Sequence, residues 1–102
     1  MTYIELLSGK LKALAHPVRL KIVTLLAMEN EDMYLNQIAN KLEINRALAK
    51  IHLNKLERGS IVKSRVVLVE CEARALRYYT LQDFDIHVSP EILKKEGERY
   101  EK

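Results

Sequence analysis

Arg46, Lys50 and Asn54 recur at four-residue intervals, and Ala47 and Ile51 fall four apart among them. On a helix that spacing gathers all five toward one side. Guanidinium and ammonium groups can neutralise phosphates, a carboxamide can hydrogen-bond base edges, and small apolar groups can meet thymine methyls. The set predicts a helix that enters a DNA major groove, with Arg46 and Asn54 reaching base edges and Ala47 and Ile51 supplying apolar contact. Asn45, which can cap the helix, opens the contacting set. Lys50, Lys55, Lys63 and Arg65 are expected on phosphates, where they add affinity and register but little selectivity. Arg74 is expected at a hairpin tip, in a minor groove or along the backbone. The opposing reading is an ordinary solvated surface.

Other chemistry is poorly supported. No Ser/His/Asp or Cys/His arrangement, phosphate-cradling glycine loop or carboxylate pair suggests catalysis, so a non-enzyme is expected. Cys71 lies between Glu70 and Glu72, whose charge disfavours a thiolate, which argues against a redox sensor. A single cysteine also excludes an intrachain disulfide and fits an intracellular, cytoplasmic protein. No leader and no membrane-spanning run is read, since the latter needs roughly 20 apolar residues.

With 102 residues, 48% of them hydrophobic, the chain reads as one domain, 1–102. Its net charge is only +3, but residues 45–77 hold eight Lys/Arg against three Asp/Glu, so +5 there leaves −2 elsewhere. The cationic charge is thus concentrated around the candidate helix, as a nucleic-acid binder requires.

The elements that place these residues follow from periodicity and caps. Thr2-Tyr3-Ile4-Glu5 has the form of a capping box for a first helix, 1–14, with a stripe of Ile4, Leu7, Leu11 and Leu14. Tyr3, Leu6 and Ala13 widen it, which predicts a partner chain. Pro17 suits the first position of a second helix, whose buried face is expected to be Leu20, Val23, Leu26 and Ala27 with Ile22 and Leu25 beside it. Glu29-Asn30-Glu31-Asp32 reads as a solvated loop. Residues 35–58 form a helix pair: Ile38, Ala39 and Leu42 mark one buried face, Ala49, Leu53 and Leu56 another, and Glu43-Ile44-Asn45 the junction. Gly59 is placed to end the second helix. Val62 to Val69 and Leu76 to Leu81 predict a hairpin over 61–81, with an undetermined turn, and alternation continues through Phe84, Ile86 and Val88. Ser89-Pro90 starts a last helix, 89–101.

Three helices followed by a hairpin describe a mainly α, winged helix-turn-helix fold. ALAHPVRLKIVTLLA, from Ala13 to Ala27, and NRALAKIHLNKLERGSIVKSR, from Asn45 to Arg65, resemble ArsR-type (arsenic-repressor-like) transcriptional regulators in their second helix and recognition helix. The resemblance spans about Ala13 to Leu81. It implies a homodimer, joined through its terminal helices, that binds double-stranded operator DNA and represses transcription. Members that sense thiophilic metals carry a Cys-x-Cys-type motif where this chain has Met33-Tyr34-Leu35-Asn36, so that sensor site is absent. The wing is longer and more apolar than the family's usual basic one. Asp85, His87, Glu98 and Glu101 match the spacing of a zinc-type site that some relatives build on a C-terminal helix. Ser89-Pro90 starts the helix after His87, however, so no metal or cofactor is expected there.

The expectation is a sequence-specific DNA-binding regulator. Two alternatives stay open: a winged-helix protein-interaction module, favoured by the apolar Val66-Val67-Leu68-Val69, and a sequence-indifferent architectural DNA binder.

Overall fold

A computed structural model describes residues 2–70 and 74–100. Helix α1 spans Tyr3–Leu14, capped by the Thr2 hydroxyl, which accepts from the Glu5 N–H at 3.2 Å. Helix α2 spans Pro17–Glu29, and its cap is His16, whose Nδ1 accepts from the Val18 N–H at 3.1 Å. A two-residue strand β1, Met33–Tyr34, leads into α3, Leu35–Leu42, and α4, Arg46–Arg58. Strands β2, Val62–Val69, and β3, Arg74–Leu81, form the wing. Helix α5, Pro90–Tyr100, starts where the Ser89 hydroxyl accepts from the Ile92 N–H.

β1 pairs with β3, so the expected hairpin is the larger part of a three-stranded antiparallel sheet ordered β1-β3-β2. Two residues between a polar loop and a helix show no readable alternation, which is why β1 has no signal of its own. Cys71, between the two long strands, lies outside the described residues, as does Glu101.

The core gathers at the helix pair. Ile38, Ala39, Ala49, Leu53 and Leu56 are buried as their spacing predicts, against Ile22, Leu26, Ile61, Val62 and Tyr79. Each fully buried Leu or Ile contributes about 1.5–3 kcal/mol relative to exposure, so this cluster fixes the angle at which α4 is presented.

Two faces depart from expectation. On α2 the buried residues are Arg19, Ile22, Val23 and Leu26, whereas Leu20 is 49% exposed and Ala27 also faces out. Apolar residues surround that helix, so periodicity did not choose its inward side. On α1 only Leu7 and Ala13 are buried, Leu14 is partly covered, and Tyr3, Ile4, Leu6 and Leu11 stay exposed. The chain itself therefore buries little of that stripe.

Gly59 does end α4, but with φ −87°; the left-handed residue is Ser60, at φ 60°. The glycine serves packing instead. A Cβ there would sit 2.5 Å from the Ala13 Cβ and 3.1 Å from the Gly9 carbonyl oxygen, so α1 approaches α4 through a gap that no other residue fits.

Candidate nucleic-acid interface

Asn45 holds the start of α4: its Oδ1 accepts from the Ala47 N–H at 2.7 Å and the Leu48 N–H at 3.4 Å. The cap leaves Arg46, Ala47, Lys50, Ile51 and Asn54 exposed along the outer side, with Ile51 at 53%. Arg46 is oriented: its Nε donates to Asn36 Oδ1, on α3, at 2.8 Å. A neutral partner aims the guanidinium without cancelling its charge.

Arg46 and Lys50 line a groove of about 190 Å³ between α4 and the hairpin, whose far wall includes Val66 and Arg77. Arg77 is held there by a relay. Its Nη1 donates to Ser64 Oγ at 3.0 Å, and that hydroxyl donates to Glu57 Oε2, on α4, at 2.8 Å. Sequence reasoning counted Arg77 only as charge. Its placement depends on strand register, in which Arg77 faces Val66, and the undetermined turn hid that register. Asn36 gave no signal, because its role exists only once α3 and α4 pack.

The remaining cations divide by location. Lys63 and Arg65 lie two apart and pair in register with Thr80 and Tyr78, on the sheet face opposite Ser64 and Val66. Arg65 Nη2 donates to Asp32 Oδ2 at 2.8 Å, and its guanidinium lies 4.9 Å from the Tyr78 ring centroid. Hydrogen bonds from Arg65 and then Thr80 hold the Asp32 carboxyl below its usual pKa of 3.8. Asp32 is therefore not merely solvated loop. Exposed ion pairs contribute only ~0–1 kcal/mol, so a phosphate can compete for Arg65. Arg74 is exposed at the start of β3, opposite Val69. Lys55 lies on the other flank of α4, facing α1 with Arg19 and Arg58 rather than the hairpin. Arg58, which a helical wheel sets with Ala47 and Ile51, borders α1 as well.

On that flank Arg19 is 7% exposed and His52 6%. Arg19 donates from Nε to the Ala13 carbonyl at 2.7 Å, from Nη2 to the Lys12 carbonyl at 3.4 Å, and from Nη1 to His52 Nδ1 at 3.2 Å. The negative end of α1 thus receives a buried cation. Burial, followed by His16 and Arg19, lowers the His52 pKa from the ordinary 6.5, so the ring is a neutral acceptor. His16 stacks at a tilt on His52, with ring centroids 4.3 Å apart. This arrangement is structural and fastens α1, α2 and α4 together.

Of the residues weighed as metal ligands that the structure describes, Asp85 and His87 meet each other but do not form a ligand group with Glu98. His87 Nε2 meets Asp85 Oδ1 at 2.8 Å on an exposed, irregular segment ahead of α5, and Glu98 lies on α5 itself. No group of three or more His, Cys, Asp or Glu capable of holding a metal occurs among the described residues.

A winged helix-turn-helix whose second helix presents cations and small apolar groups outward is the architecture of a DNA-binding protein. Residues 14–65 match the family model described as "Helix-turn-helix domain". The chain is 36% identical over 84 residues to an uncharacterized HTH-type transcriptional regulator of Methanocaldococcus jannaschii, covering 82% of this chain and 84% of that one. It belongs to the helix-turn-helix family of transcriptional regulators. NolR from Sinorhizobium fredii superposes with a TM-score of 0.60 at 28% identity, over 96% of this chain and 84% of that one. A possible transcriptional regulatory protein from Mycobacterium bovis, at 22% identity, shares the fold with a TM-score of 0.64 over 94% of this chain and 88% of that one. The function is that of a DNA-binding transcriptional regulator. Among the described residues no helix is long and apolar enough to cross a membrane.

Proposed function

We propose that the protein is an ArsR-type repressor that binds operator DNA sequence-specifically as a homodimer, with α4 in the major groove. The observation that carries this reading is the oriented, open face of α4. Arg46 is aimed by Asn36, while Ala47, Ile51 and Asn54 stand exposed beside it. An exposed isoleucine between polar residues is unfavourable in water and gains contact against thymine methyls. Lys50 and Arg77, on the two walls of the groove, take backbone phosphates; Lys63, Arg65 and Arg74 extend that contact along the wing. Lys55 lies off this surface.

The dimer reading rests on an apolar groove lined by Ile4, Leu7, Leu11, Ala15, Val88 and Leu93, from α1 and the approach to and start of α5. A second copy burying its own α1 and α5 against it would cover the stripe that this chain leaves exposed. Repression follows from the resemblance in residues 13–81, and a cytoplasmic location from the function.

A salt-titrated binding assay with duplexes selected from a random pool, beside unselected duplexes, tests this. A dimeric reader prefers the selected DNA, ~10³-fold or more at moderate salt, and its apparent affinity falls steeply with salt on both. Equal affinity for both pools would leave an architectural binder; no binding at low salt would leave a protein-interaction module.

A further inference from the structure

On the α1 side of α4 the structure holds a recess of about 310 Å³ that the DNA reading does not use. Its floor is nearly bare backbone, Gly9 and Gly59 with the buried Ala13 between them. Its walls are cationic: Lys12 from α1, Arg19 from α2, and Lys55 and Arg58 from α4. Among the described residues no acidic side chain lines it.

Cations near helix C-termini ordinarily answer the free carbonyls there, and Lys12, Lys55 and Arg58 all sit in such turns. Here most of those carbonyls are already engaged. Arg19 donates to the Lys12 and Ala13 oxygens, Lys10 Nζ to the Gly59 oxygen, and the backbone N–H groups of Gly59, Ser60 and Ile61 to the Lys55, Glu57 and Leu56 oxygens. Lys12, Lys55 and Arg58 make no ion pair among the described residues. Glu5 shares a neighbouring depression with Arg58, without bonding to it. Three surplus cations and a buried guanidinium therefore surround an open space of ligand size.

We propose that this recess binds a small, multiply charged oxyanion of the phosphate class. Arg58 offers a planar fork for two oxygens, and Lys12 and Lys55 offer point charges from facing helices. An anion there neutralises cations that otherwise repel one another, and it bridges α1, which carries the exposed apolar stripe, to α4, which carries the reading face. Lys50 and Arg77 lie on the other flank, and the recess shares no lining residue with their groove.

The test uses the whole 102-residue chain, isotope-labelled and free of DNA, titrated with sodium pyrophosphate at constant ionic strength. Saturable amide shifts centred on Gly9, Ala13 and Gly59 are expected. Lys55→Gln/Arg58→Gln, both exposed and so compatible with folding, should weaken binding ~10-fold or more, while Lys21→Gln on the outside of α2 should not. The proposal is overturned by a response that does not saturate, by shifts centred on Lys50 and Arg77, or by a double variant that binds pyrophosphate as well as its parent. Because no DNA is present, none of these outcomes depends on the regulator reading.

Discussion

The two flanks of α4 treat arginine in opposite ways. Toward the hairpin, Arg46 and Arg77 are exposed, and neutral partners, Asn36 and Ser64, aim them over a groove. Toward α1, Arg19 is buried and spends its donors on two helix-end carbonyls and a neutral histidine. The same side chain is a contact group on one flank and a structural tie on the other. Only the hydrogen-bond partners and the burial distinguish the two.

This contrast can be broken most forcefully at Arg19. Arg19→Ala leaves two carbonyls and His52 short of a donor and opens a void, so stability should fall by roughly 2–4 kcal/mol in urea unfolding. A loss of under ~0.5 kcal/mol would show that the tie is dispensable. Gly59→Ala should cost about 1–3 kcal/mol, because its Cβ must push α1 away from α4; an unchanged unfolding midpoint would show that the close approach is not needed. On the other flank, Arg77→Ala should hardly affect folding. It should weaken selected and random DNA alike and reduce the salt slope by ~1, which a salt series on both duplexes would detect.

The smallest effect concerns pH. His52 has a lowered pKa in the fold and an ordinary one, 6.5, when unfolded, so below that value the unfolded chain takes up the proton more readily. Its contribution is present above pH 6.5 and is lost as pH falls from there toward the lower folded value. His52→Gln should flatten the decline in stability between neutral and mildly acid pH. An unchanged slope would assign that decline to other groups.

How much of this was legible in the sequence follows the same division. Local signals were readable: the Thr2, Asn45 and Ser89 caps, Pro17 and Pro90 at helix starts, and the buried stripes of α3 and α4 stand where spacing and side-chain chemistry place them, with Leu42 alone of the stripe residues only partly buried. Features that need two elements at once were not. The inward side of α2 was ambiguous because apolar residues encircle it, and β1 is too short to carry a pattern. A wheel separates Lys50 from Lys55, but only packing shows that Lys50 borders a groove shared with the hairpin and Lys55 a recess shared with α1. Arg77 joins the groove through register, and Gly59 matters through its distance from Ala13 rather than its dihedral angles.

The central claim is that Arg46, Asn54 and the small apolar groups on the outer face of α4 read bases while Lys50 and Arg77 hold the backbone. The most direct test measures the ratio of affinities for selected and random duplexes, at one fixed salt concentration, in two double variants. Arg46→Ala/Asn54→Ala should collapse that ratio by ~10²-fold or more, whereas Lys50→Gln/Arg77→Gln should lower both affinities and leave the ratio nearly unchanged. If the first pair lowered both affinities equally and kept the ratio, Arg46 and Asn54 would touch only phosphates, and α4 would not be the reading element.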